Sequence, residues 1–146
     1  MLVKCIKNNL ENMDCPKELF EEIKYSLGSY GQFNLRMNQN YAVKGISYRN
    51  GYPWYYLCET IDSTYPMLYS AELFELIDPR LSRCWVFGKN LIKLENGTYK
   101  YFSRITFKEW ANDDFFYDDL IEGNVEKLKL FKKYSDFIEL EYPDAC

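Results

Sequence analysis

Histidine is absent from this chain of 146 residues. Its absence excludes Cys-His and Ser-His nucleophile pairs, histidine-ligated metal sites and the commonest general base. No glycine-rich phosphate loop matches a nucleotide-binding pattern. A Ser-Lys pair or a two-carboxylate site stays formally open, because four aspartates lie close together between residues 113 and 119, although helix capping explains them equally well. We therefore expect a protein that is not an enzyme, with no catalytic residue, no metal and no cofactor.

Long apolar runs are also missing, since no stretch approaches the roughly 18 residues of a membrane-spanning helix. Lys4, Lys7 and Glu11 interrupt the start of the chain where a signal peptide would be apolar. The five cysteines are an odd number, and their spacings match no zinc or redox motif. These absences predict a cytoplasmic protein with reduced thiols and no membrane contact.

Aromatic residues are abundant: 14 Tyr, 10 Phe and 3 Trp make up 18% of the chain, within a hydrophobic fraction of 47%. A chain of this size can bury roughly 70% of the surface that its unfolded form exposes. This composition is far from that of disordered chains. We predict a single domain over residues 1–146.

Charge is unevenly distributed along the chain. Residues 109–146 carry 11 acids and 4 lysines, whereas residues 1–108 are net positive. The acidic C-terminal part is either a pair of solvated helices or a patch that steers a basic partner. Bases alternate with aromatics elsewhere, but the acidic part and a pI near 5.0 oppose binding to a polyanion. We expect no nucleic-acid binding.

The first half of the chain reads as a small sheet with one helix. Residues 1–7 predict a strand, and residues 16–27 predict a helix with Pro16 in its first turn and Gly28 as its stop. Asn50-Gly51 predicts a type I′ hairpin over residues 41–60, with a bulge at Gly45 that restores the alternation. A short strand follows at residues 65–69. Residues 71–78 are either a helical turn or a closing strand.

This hairpin carries a row of aromatic side chains on one face, here called the aromatic strip. Its members are Tyr52, Trp54 and Tyr56. Either helix 16–27 or the C-terminal helices cover the strip, or it is exposed and binds a partner.

The second half predicts another hairpin and two to three helices. Residues 83–88 and 91–94 predict strands, and residues 98–107 predict another strand after Asn96-Gly97, for which we expect the same turn chemistry. Residues 106–109 (TFKE) fit a capping box. An unbroken helix would place Asp113 in its apolar stripe, so we predict a break at Asn112 with Asp113 capping the next helix. The last helix spans residues 125–141, capped by Asn124.

Several stretches resemble small SH3-like barrel sequences of bacterial and phage origin. They are MLVKCIKNN, FNLRMNQNYAVKGI, YYLCET and YPMLYSAELFELID. The chain has Asn38 where that pattern has Gly, and Asn also accepts a left-handed turn. The resemblance implies an α+β fold in which residues 1–80 form a strongly bent antiparallel sheet or SH3-like partial barrel with one inserted helix. Residues 81–146 then add the second hairpin and the C-terminal helices.

The stretches LSRCWVFG and FKEWANDDFFYDDLIEG resemble a group of uncharacterised bacterial proteins, some of them associated with the immunity proteins of polymorphic toxin systems. This implies a non-enzymatic protein that neutralises a cognate toxin, possibly a basic nuclease. The acidic aromatic segment, residues 110–119, is the expected contact. Its candidate residues are Trp110, Asp113, Asp114, Phe115, Asp118 and Asp119. The alternative is a structural or accessory SH3-like domain that binds a peptide through the aromatic strip.

Overall fold

The computed structural model describes residues 1–145, which form four α-helices and two antiparallel sheets. This confirms the predicted α+β class, whereas the SH3-like detail stays a prediction. The strands are β1 (Leu2–Cys5), β2 (Asn40–Ala42), β3 (Gly45–Arg49), β4 (Tyr52–Leu57), β5 (Met67–Ser70), β6 (Phe74–Asp78), β7 (Trp85–Lys93) and β8 (Tyr99–Phe107). The α-helices are α1 (Lys17–Leu27), α2 (Lys108–Ala111), α3 (Phe116–Ile121) and α4 (Val125–Glu141), and a 3₁₀ turn (Ala71–Leu73) precedes β6. Residues 71–78 therefore adopt both of the expected conformations, a turn and then a strand.

The chain changes sheet between β2 and β3. One sheet has the strand order β2-β1-β6 and the other the order β5-β4-β3-β8-β7. The backbone N–H of Val43 donates to Met1 O in the first sheet (3.0 Å), and that of Lys44 donates to Tyr56 O in the second (2.8 Å). Gly45 also pairs with Tyr56, so Lys44 and Gly45 both face one residue of β4, which is the predicted bulge, and it lies where the chain passes from one sheet to the other. A Cβ at Gly45 would lie 3.0 Å from Thr106 Cβ, so glycine lets β8 approach β3.

The first hairpin has the predicted turn and register. Asn50 and Gly51 both have positive φ (51° and 83°), as a type I′ turn requires. Ile46 pairs with Tyr55, as counted outward from the turn. Asn38 takes the left-handed conformation with φ 63°. Residue-level turn chemistry therefore predicts this region correctly.

The second hairpin turns differently from the prediction. Leu94 N donates to Thr98 O (2.7 Å) and Gly97 N donates to Leu94 O (2.9 Å), which leaves three loop residues. Gly97 has φ 82°, whereas Asn96 is not in the positive-φ region. The Asn96 side chain instead accepts a hydrogen bond from Thr98 N (3.0 Å). Because this side chain stabilises the longer loop, the expected two-residue turn does not form.

Helix ends follow side-chain chemistry in most places. Gly28 ends α1 with φ 64°, and Asn124 Oδ1 accepts from Glu126 N and Lys127 N (both 3.1 Å) at the start of α4. The predicted break is confirmed, since α2 ends before Asn112. Asp113 does not cap the next helix as predicted, because its Oδ1 accepts from Phe115 N (3.0 Å), one residue before α3 begins.

The predicted capping box at residues 106–109 is wrong. The hydroxyl of Thr106 donates to the backbone oxygen of Lys44 (3.0 Å) and makes no capping bond to α2. Because the Thr106 hydroxyl is bonded to the Lys44 carbonyl, between β2 and β3, it does not cap α2.

Three apolar clusters hold the described elements together. The largest one joins α1 to both sheets and includes Ile23, Tyr41, Trp54 and Leu57. A second cluster lies beneath α2, α3 and α4, and its buried members are Phe107, Trp110, Phe116, Leu120 and Phe131. The third joins the end of α4 to the first sheet, and its buried members are Leu2, Ala42, Ile138 and Tyr142. Within the described range, no helix is both long enough and apolar enough to cross a membrane.

Candidate functional site

A cleft of about 610 Å³ lies where α1, the β3–β4 turn, β8 and the α2–α3 segment meet. Its floor is aromatic, and its walls carry charges of both signs. The floor residues are Tyr56, Trp110 and Tyr117; the acidic wall residues are Glu21, Glu22, Asp114 and Asp118; the basic wall residues are Arg49, Lys100 and Arg104. The cleft therefore unites one residue of the aromatic strip with four residues of the acidic aromatic segment.

The floor of the cleft is a packed and uncharged group of rings. The centroid of Tyr56 lies 4.6 Å from that of Trp110 and 5.2 Å from that of Tyr117. Burial raises the pKa of Tyr56, and it raises the pKa of Tyr117 to about 12. The Tyr117 hydroxyl donates to Pro66 O (2.9 Å). Both phenols are therefore neutral at physiological pH, and the floor is a rigid apolar platform.

Asp113 and Asp114 are engaged inside the molecule. Asp113 Oδ2 lies 2.6 Å from Lys127 Nζ, and this lysine holds the pKa of Asp113 below its usual range. Asp114 Oδ1 lies 3.0 Å from Arg104 Nη2, and its other oxygen accepts from Asn90 Nδ2 (2.6 Å). These bonds tie the α2–α3 segment to α4 and to the second hairpin. Contrary to the sequence-based prediction, the two carboxylates are not free contact charges.

Phe115, Asp118 and Asp119 lie on the outer side of α3. The Phe115 ring is 70% exposed, although its own backbone N–H is fixed by Asp113. Asp118 is exposed and Asp119 is half-buried. Within residues 1–145 their carboxylates make no hydrogen bond or ion pair. Of the six candidate residues, these three are therefore the ones available to a partner.

Trp110 is buried, with 1% of its surface exposed, contrary to its predicted role as a contact. It stacks on Phe116 at 5.4 Å with an interplanar angle of 19°, and it packs edge-on against Phe107 at 5.7 Å. The reason is that α2 is a single turn that lies flat on β8, so the Trp110 ring fills the space between helix and sheet.

The aromatic strip is not an exposed surface. Trp54 is fully buried, Tyr52 donates its hydroxyl to Glu18 Oε1 of α1 (2.8 Å), and Tyr56 forms the cleft floor. The α1 helix covers one end of the row, and Trp110 of α2 covers the other. Of the alternatives in the sequence analysis, the covered strip is confirmed and the exposed strip is wrong.

The basic wall of the cleft was not predicted from the sequence. Lys100, Phe102 and Arg104 occupy alternate positions of β8 and line the same side. Their period-two spacing could have identified them as one face of a strand. The guanidinium of Arg49 lies 5.1 Å from the centroid of the Trp54 ring. This is a diagonal contact across the first hairpin, which the predicted register of β3 and β4 allows.

Thiols and carboxylates are the reactive groups that remain to be considered in a chain without histidine. Burial raises the pKa of the Cys5 and Cys84 thiols, which lowers their reactivity. Cys146 lies outside the described residues. Over residues 1–145, no three acidic or cysteine side chains come together where they could hold a metal ion.

The chain was compared with models of known protein families, with curated proteins and with solved structures. No family model, no curated protein and no solved structure matches it.

Proposed function

We propose that this chain is a non-enzymatic binding protein, an immunity protein that neutralises a cognate bacterial toxin in the cytoplasm. Its contact with the toxin is Phe115 together with Asp118 and Asp119. The observation that supports this proposal is the Phe115 ring, which is 70% exposed although its neighbour Phe116 is fully buried. A large ring held in water on a rigid support is a typical anchor of a protein interface.

The support beneath Phe115 lowers the cost of binding. Phe116 packs on Phe107 and Trp110, and Phe115 N is hydrogen-bonded to Asp113. Asp113 is itself paired with Lys127 of α4. Because the backbone of this segment is already ordered, little conformational entropy remains to be lost when the ring enters a pocket.

The charges around Phe115 favour a basic partner. Asp118 and Asp119 carry carboxylates with no internal partner among the described residues, and residues 109–146 contain 11 acids against 4 lysines. Nucleases carry positively charged clefts, so the negative electrostatic potential of these residues would accelerate the association of a nuclease with the protein. A basic nuclease toxin is therefore the partner that fits best. The alternative peptide-binding role of the aromatic strip has no support, since Trp54 is buried.

The test uses the C-terminal domain of a secreted toxin encoded by the neighbouring gene, with affinity measured by calorimetry and protection measured in cells. Phe115→Ala should weaken binding by about 10- to 100-fold, the range of an interface anchor. Asp118→Lys should slow association, and the effect should shrink at high salt. Both variants should keep the wild-type thermal midpoint, because the two side chains are exposed.

Phe137→Ala and Asp136→Lys on α4 are matched controls, since these residues are also exposed. Neither should change toxin binding. Unchanged affinity and protection in the combined Phe115→Ala, Asp118→Lys variant would remove this surface from the proposal. Failure of the unmodified protein to bind or neutralise that toxin would overturn the immunity function itself.

A further inference from the structure

The second hairpin continues beyond the sheet to which it belongs. β3 pairs with β8 only at Ile105 and Arg104. β7 and β8 remain paired with each other as far as Lys93 and Tyr99. Residues 89–93 and 99–103 therefore form a two-stranded ribbon beyond the residues that pair with β3. This ribbon, together with Phe87 and Gly88 at its base, is here called the arm.

The two faces of the arm have different surroundings. Phe102 and Lys100 lie on the face that lines the cleft. The opposite face carries Leu91, Tyr101 and Tyr99 as neighbours, and Phe87 lies beyond the Lys89–Ser103 pair. The exposed fractions are 61% for Phe87, 51% for Leu91, 62% for Tyr99 and 63% for Tyr101. An exposed face of this composition is typical of an interaction surface.

The outer edge of β7 has free backbone groups. Leu94 N donates to Thr98 O, which fixes the phase of hydrogen bonding between the two strands. Because hydrogen-bonded pairs alternate in an antiparallel ladder, the N–H and C=O groups of residues 87, 89, 91 and 93 point away from β8. β7 is the last strand in its sheet. The side chains of residues 87, 89, 91 and 93 lie on the face of the arm that is opposite the cleft, so these four residues contribute to both the free edge and this face.

Charge distinguishes between the possible occupants of this edge. Residues 85–107 contain Lys89, Lys93, Lys100 and Arg104 against one acid, Glu95, in a chain of net charge −4. Lys89 lies on the apolar face, with its Nζ 5.8 Å from the centroid of the Tyr101 ring. Lysines on an edge strand oppose pairing with a second copy, because like charges would meet across the new ladder. They favour a strand that carries carboxylates.

We infer that the arm binds an extended acidic segment of another protein, which adds to β7 as an antiparallel or parallel strand. The apolar side chains of this segment would lie on Phe87, Leu91 and Tyr101, and its carboxylates would pair with Lys89 and Lys93. Main-chain hydrogen bonds supply affinity in this mode of recognition, and alternate side chains supply specificity. The surface lies on the opposite side of the arm from the cleft and has the opposite charge from the Phe115 surface. It therefore does not depend on the proposed toxin contact.

The experiment selects short random peptides displayed on phage against the immobilised full chain. Enriched peptides should be acidic and should alternate acidic with β-branched or aromatic residues. Synthetic copies are then measured by fluorescence anisotropy. Lys89→Glu with Lys93→Glu should weaken binding at least about tenfold, and Phe87→Ala with Tyr101→Ser should weaken it as well. Methylation of alternate peptide nitrogens should abolish binding, whereas methylation of the intervening nitrogens should have little effect, because one set alone faces β7.

Lys24→Glu with Lys129→Glu is the matched control, since both lysines are exposed on helices away from the arm. This variant should bind the peptides like the unmodified protein. The proposal would be overturned if the selected peptides bound the Lys89→Glu, Lys93→Glu variant as tightly as the unmodified protein. It would also be overturned if methylation of every peptide nitrogen weakened binding to the same extent. Tighter arm-dependent binding of single-stranded oligodeoxythymidine would overturn it in favour of nucleic acid. Dimerisation in sedimentation that the Lys89, Lys93 reversal abolishes would overturn it in favour of a second copy.

Discussion

Lys44 offers a sharp test of how the C-terminal helix is held on the sheets. The side chain is 1% exposed and forms an ion pair with Glu139 of α4, which is 42% exposed. Glu139→Gln would leave a buried ammonium group without its countercharge. Loss of one partner of a fully buried pair costs about 3 to 5 kcal/mol. Because water reaches Glu139, we expect a smaller loss of unfolding free energy, about 2 to 3 kcal/mol.

Lys44→Met should behave differently, because it removes the buried charge and keeps the apolar stem. Replacing a buried ionic group by an apolar one of similar volume is often neutral, so we expect a change within about 1 kcal/mol. The double variant should resemble Lys44→Met. The coupling energy between the two positions should then be about 2 kcal/mol.

Urea unfolding at neutral pH, followed by tryptophan fluorescence, measures these differences. A loss of 2 to 3 kcal/mol corresponds to a fall in Tm of about 7 to 10 °C for a chain of this length. The reasoning is refuted if Glu139→Gln is as stable as the unmodified protein. It is equally refuted if Lys44→Met loses as much stability as Glu139→Gln.

Three further predictions concern the core, the α2 contact and the acid limb of stability. Trp54→Ala should lower the free energy of unfolding in urea by about 3 to 5 kcal/mol. Trp54→Phe should lower it far less, because within residues 1–145 the buried Nε1 has no hydrogen-bond partner to lose. Equal losses for the two variants would contradict this. Gly88→Ala places a Cβ 2.0 Å from Ala111 O and should lower the free energy of unfolding by on the order of 3 kcal/mol. The control Gly31→Ala places its Cβ in open space and should keep the Tm of the unmodified protein. The depressed pKa of Asp113 contributes stability that is present above the ordinary aspartate pKa of about 4 and is lost as pH falls through the lower folded value. In the Asp113→Asn variant, the free energy of unfolding should therefore fall less steeply as the pH is lowered below about 4. An unchanged slope would contradict the contribution of the Asp113 carboxylate to stability.

Local chemistry determined the parts of the fold that the sequence predicted correctly. The type I′ turn follows from Asn50-Gly51, and the break at Asn112 follows from the position of Asp113 on a helical wheel. Both depend on residues within one or two turns. The α1 boundaries are equally local, since Pro16 and Gly28 define them.

Long-range partners determined what the sequence did not predict. The hydroxyl of Thr106 bonds to Lys44, 62 residues away, so the capping box fails. In the site, Asp114 has the spacing of an exposed acid, yet Arg104 of β8 neutralises it. Nor does aromatic alternation indicate whether a helix will cover Trp54.

The transfer of the chain between sheets at Val43 and Lys44 has a consequence for the order of folding. β3 and β4 form a local hairpin, whereas β1 pairs with β2 across about 40 residues of chain, since Leu2 pairs with Ala42. Two amide protons that are neighbours along the backbone therefore belong to structures that are completed at different times. In pulsed hydrogen exchange, the Lys44 amide should become protected before the Val43 amide. The delay between the two amides would measure the interval between formation of the hairpin and formation of the first sheet.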